Sequence, residues 1–94
     1  MPTKEHKASD YLQTPEDIAA YLNAAIEDMG DDPRLLMMAF RNVAEARGGV
    51  SEVARQANVD RVALSRALSG KRTPRLDTLA KVSAACGVKL RFSA

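Results

Sequence analysis

Arg61, Val62, Ser65 and Arg66 stand at spacings of one, three and one, which gathers all four on one side of a 3.6-residue helix. Their chemistry suits a base-pair edge. A guanidinium can hydrogen-bond a guanine bidentately, a valine can touch a thymine methyl, and a serine hydroxyl can reach a base or a phosphate. Asp60 sits at the start of that helix, and Lys71, Arg72 and Arg75 follow in the next loop, placed to neutralise phosphates. Ser51, at the head of the preceding helix, joins them as a phosphate contact. A helical pair serving protein contact would also expose arginines. Six basic residues within 61–81, with Asp60 and Asp77 the nearby acids, favour a polyanion instead.

Catalysis has little to work with. His6 is the single histidine and lies in a polar stretch, where a general acid–base residue would be poorly positioned. Cys86 has no neighbouring base in sequence, no glycine loop suited to cradling phosphates occurs, and no cluster has metal-ligand spacing. Asp31 and Asp32 precede a proline as a helix cap does, a better account than a paired-carboxylate site. No enzymatic activity, cofactor or metal is expected.

The elements that must carry the basic residues are helices. Thr14, Pro15, Glu16 and Asp17 supply a cap, a first-turn proline and acids at the positive end of the dipole. Ile18, Leu22, Ala25, Ile26 and Met29 then form a stripe that stops at Gly30. Asp32 and Pro33 repeat the signature for a helix to about Arg47. Its apolar face holds Leu36, Phe40 and Val43, widened by Leu35, Met38 and Ala39, and Gly48 and Gly49 end it. Ser51 is expected to cap a helix to Ala57, Asp60 another to Ser69, and a fifth spans about 76–86 with Leu79, Val82 and Cys86 inward.

Residues 50–69 meet the demands of two helices crossing steeply over a tight turn. Ala54 is small where the second helix crosses the first, and Asn58 tolerates positive φ in the turn. Val53, Ala57, Val59, Leu64 and Ala67 are apolar wherever the pair faces the core. The first helix is then expected to lie across a DNA backbone while the second enters the major groove. The last residues, from Val88 through Lys89, Leu90 and Arg91 to Phe92, alternate apolar and basic, a period of two that predicts a short strand. A single strand needs a partner, so pairing of Val88, Leu90 and Phe92 with a second copy in a homodimer is expected, with a frayed tail as the other reading. The chain reads as a polar arm over 1–13 and one domain over 14–94.

A length of 94 residues leaves a thin stability margin that a dimer would widen. The whole-chain charge of +2 conceals a split. Residues 1–49 carry five basic and nine acidic side chains, net −4, whereas 50–94 carry nine and three, net +6. An acidic half suits a basic protein and a basic half a polyanion. The lone Cys86 excludes an intramolecular disulfide, as in a cytosolic chain. Neither a signal-peptide stretch nor an apolar run of membrane-spanning length is present, so a cytoplasmic location without membrane contact is expected.

Four segments, 49–54, 64–70, 74–79 and 87–90, with the run from Ile18 to Leu22 and the Asp31, Asp32, Pro33 triplet, resemble the addiction-module antidote family. These are HigA-like antitoxins with a lambda repressor-like DNA-binding fold, and the likeness covers about residues 8–92. Asn58 stands where the family has a turn glycine, and Lys71, Arg72 and Thr73 make the following loop more basic. The resemblance implies an all-α, five-helix domain with the terminal strand added. It also implies a type II antitoxin that represses its own operon by binding double-stranded operator DNA and neutralises a small basic RelE-type toxin, a ribosome-dependent mRNA interferase. Tyr11, Leu12, Ile18, Tyr21 and Leu22 are the candidate toxin contacts, with core packing an equal account of Ile18 and Leu22. A free-standing repressor without a toxin is the other reading; a neighbouring gene for a small basic protein separates the two.

Overall fold

The computed structural model describes residues 8–94. Among the described residues six helices follow one another: α1 (Ala8–Tyr11), α2 (Pro15–Met29), α3 (Arg34–Ala46), α4 (Val50–Ala57), α5 (Arg61–Leu68) and α6 (Leu76–Ala85). The five longer ones answer to the five expected, and α1 adds a single turn inside the stretch read as an arm. Residues 1–7 of that stretch, with His6, lie outside the described residues.

Local chemistry sets the boundaries. Thr14 Oγ1 accepts from Asp17 N–H at 3.0 Å and the Asp17 carboxylate accepts in return from Thr14 N–H at 3.1 Å, a closed capping box that starts α2. At α3 the cap position falls to Pro33, while Asp32 grips Arg34 through its backbone N–H at 3.0 Å and its guanidinium at 2.9 Å. Ser51 does not cap α4. The helix begins one residue earlier, at Val50, with Gly49 at the cap and Ser51 in the first turn.

Helix α3 is the hub, touching α1, α2, α4 and α5, while α6 closes over α4. Met37, Phe40, Val43 and Ala44 of α3 meet Leu12, Ile18, Leu22, Val53, Leu64, Leu68, Val82 and Cys86 in one core. Leu35 and Met38, expected to widen the buried face, are exposed instead. The run from Leu35 to Phe40 is apolar all round, so its pattern does not fix which side turns in. Packing against α2 and α5 selects Met37.

The expected C-terminal strand is absent: no residue after α6 is in a strand. Gly87, at φ +85°, turns the chain out of α6, and Val88 N–H bonds back to Ser83 C=O at 3.0 Å. Val88 packs partly against the core, but Leu90 is exposed and Phe92 is 99 % exposed. The described residues form helices and connecting loops and present no sheet edge, so an alternating sequence finds nothing within the chain to pair with.

Candidate nucleic-acid interface

Helix α4, a three-residue turn and helix α5 form one unit. Asn58 ends α4 in the left-handed conformation, φ 56° and ψ 48°. Its N–H bonds Arg55 C=O at 3.2 Å and Val59 N–H bonds Ala54 C=O at 3.0 Å, satisfying the last carbonyls of α4. Asparagine bears that conformation better than other residues with a Cβ. Asp60 then opens α5, its carboxylate accepting from Ala63 N–H at 2.8 Å. Val53, Ala54 and Ala57 on α4 and Leu64, Ala67 and Leu68 on α5 are buried, which sets the roll of α5 about its axis. Arg61, Val62, Ser65 and Arg66 are all exposed as a result.

The chain leaves α5 through Gly70, and Lys71 N–H returns to Arg66 C=O at 2.9 Å, so the basic loop starts from a fixed point. Lys71 and Arg72 are exposed, and neither they nor Arg61 and Arg66 enter an ion pair among the described residues. Arg75 differs, with its Nε 3.2 Å from Asp77 Oδ1 and part of its charge spent there. A shallow groove runs from the head of α5 to α6, lined by Asp60, Arg72, Thr73, Arg75, Thr78 and Lys81. It brings Asp60 together with two of the loop cations and adds Lys81, which the sequence showed only as one more charge in a basic run. Ser51 is exposed in the first turn of α4. Arg55 on the same helix is committed to Glu52, whose carboxyl it holds below the usual range by hydrogen bonding.

A family described as "Probable addiction module antidote protein" matches residues 2–94. The chain belongs to the addiction module antidote family. It is similar to an uncharacterized protein of Haemophilus influenzae, 32 % identical over 88 residues that cover 94 % of this chain and 88 % of that protein. No solved structure matches. Membership assigns an antitoxin function and implies a toxin partner of some kind.

The residues of this antidote-family chain expected to meet a toxin divide by burial. Leu12, Ile18 and Leu22 are in the core, Ile18 wholly so, and pack the helices together. Tyr11 is exposed and Tyr21 half-buried; their rings lie 5.9 Å apart, and Tyr21 OH accepts from Asn42 Nδ2 at 2.8 Å. Slight desolvation, and secondarily the neighbouring Tyr21, holds the Tyr11 hydroxyl above its ordinary pKa. Cys86 is buried among apolar side chains, and that burial raises its thiol pKa against the weaker opposing pull of Arg47. A thiol so placed stays protonated at neutral pH. Among the described residues no group of three or more His, Cys, Asp or Glu could hold a metal ion, and no helix is long and apolar enough to cross a membrane.

Proposed function

We propose that this antidote-family chain is a HigA-like antitoxin that uses α4 and α5 as a helix-turn-helix on double-stranded operator DNA. It represses its own operon and neutralises a small basic RelE-type mRNA interferase. In this reading α5 enters the major groove with its N-terminal turns against the bases. Arg61 and Arg66 offer forked donors to guanine, Val62 a contact for a thymine methyl, and Ser65 a hydroxyl for a base or phosphate. Asp60 keeps a second carboxylate oxygen for a cytosine amine. Lys71 and Arg72 neutralise phosphates fully, Arg75 weakly because Asp77 already holds it, and Ser51 donates from α4. Two copies on half-sites about 34–36 Å apart complete the operator complex. The chain carries out no catalysis and works in the cytoplasm, where operator and ribosome-bound target are found.

One observation carries the reading. Two arginines, a valine and a serine share the outward side of a helix whose inward side is fully packed, and none of the cations there is paired. The exposed valine between the arginines adds little to the core and is free to meet a thymine methyl. Footprinting on the DNA upstream of the gene, together with co-purification of the adjacent gene's product, tests both halves. A protected stretch of about one or two helical turns and a stable complex are expected. Uniform cleavage with no retained partner overturns the proposal.

A further inference from the structure

Six successive residues of α3, Leu35 to Phe40, are apolar, and one helix face cannot bury them all. Met37 and Phe40 turn inward; Leu35 and Met38 remain 43 % and 59 % exposed. Both line a shallow groove between α2 and α3, together with Tyr21, Ala25, Asp28 and Asn42 among others. Two large aliphatic side chains left in water beside an aromatic ring make a small apolar surface that the fold itself leaves uncovered.

The α2 side of this groove is acidic. Helix α2 contains Glu16, Asp17, Glu27 and Asp28 and no basic residue, and Asp31 follows in the next turn. Its C-terminal end, where the macrodipole is negative, has no basic side chain in its last turn. The cations on α3 each face an acid of their own, Arg34 with Asp32 at 2.9 Å and Arg41 with Glu45 at 3.6 Å. Glu27, Asp28 and Asp31 enter no ion pair among the described residues.

We infer that the α2–α3 groove is the docking site for a basic amphipathic helix of the toxin, an inference that rests on the antitoxin reading above. Apolar side chains spaced three or four apart on such a helix seat against Leu35, Met38 and Tyr21, while its lysines and arginines meet Asp28 and the negative end of α2. Methionine, unbranched and polarizable, adapts to the shape it meets. DNA is repelled by the same acids. A second copy related by a two-fold axis brings its own α2 acids against them.

The test is co-expression of the full chain with the product of the gene beside it, followed by affinity measurement on the purified pair. Leu35→Glu, Met38→Glu and the charge reversal Asp28→Lys are compared with Leu76→Glu, an exposed position outside the groove. All four sites are exposed, so unchanged thermal melts are expected. The three groove variants weaken toxin binding tenfold or more, Asp28→Lys most at low salt, and Leu76→Glu leaves it unchanged. Binding of upstream DNA stays at the wild-type level throughout. Toxin held equally well by the groove variants overturns the inference and leaves the antitoxin reading intact. Groove variants that shift the chain's own oligomeric state with toxin binding retained overturn it in favour of a second copy. Wild-type chain that never binds the neighbouring product overturns both.

Discussion

Val62 is 49 % exposed on a short helix whose other side is filled by Leu64, Ala67 and Leu68, so its methyl groups add little to folding. The basic side chains around it differ in the work they are assigned, and substitutions separate them. Arg66→Ala is expected to lower operator affinity by about 1–3 kcal/mol with nonspecific binding nearly unchanged, because base contacts carry discrimination. Lys71→Ala weakens specific and nonspecific duplexes alike and flattens the dependence of log K on log salt by about one unit. Titrations over a range of salt distinguish them; identical effects of the two variants contradict the assignment. Ser83 poses an opposite case. Its hydroxyl is buried in α6 without a hydrogen-bond partner, the one such side-chain atom among the described residues. Ser83→Ala removes the unsatisfied group and is expected to raise stability by about 1 kcal/mol in urea denaturation. A loss of stability would reveal a partner for that oxygen.

At the scale of elements, the turn between α4 and α5 depends on Asn58. Asn58→Ala forces an ordinary side chain into the left-handed region and is expected to cost about 1 kcal/mol or more, whereas Asn58→Gly is close to neutral; equilibrium unfolding checks both. The start of α3 responds to pH. Hydrogen bonds from Arg34 hold the Asp32 carboxyl below its ordinary pKa. A depressed folded-state value gives stability that is present above the unfolded carboxylate's pKa and disappears as pH falls through the folded one. The pair is exposed, so the effect is modest. The Tm gap between wild type and Asp32→Asn is expected to be present at neutral pH and to close in acid, and a gap independent of pH contradicts the assignment. Several elements were legible because their signals are local. Thr14 with Asp17, Asp60 with Ala63, and Asn58 act within a few residues of themselves and mark helix ends without knowledge of the fold. The burial of Ala54, Leu64 and Ala67 was legible from spacing. The orientation of α3 was not, since its apolar run is continuous and only its neighbours decide that Met37 goes in and Met38 out. The tail was not legible either, because alternation describes a strand only where a partner edge exists. Helix α1 is too short for its four residues to show a period.

For the molecule as a whole, charge divides the chain into an acidic half and a basic half. The acidic half carries the uncovered aliphatic groove of α2 and α3, and the basic half carries the exposed side of α5 and the loop after it. Family membership supplies the toxin partner that the acidic half calls for. The core beneath joins both halves through α3, which touches α2 on one side and α5 on another. The central claim, that the outward side of α5 reads a DNA sequence, is tested most directly by fluorescence anisotropy. The chain is titrated into a labelled duplex from upstream of its own gene and into a scrambled duplex of equal length and composition, at one physiological salt concentration. Affinity for the upstream duplex is expected to be greater by about a thousandfold or more. Equal affinity for the two duplexes contradicts the account.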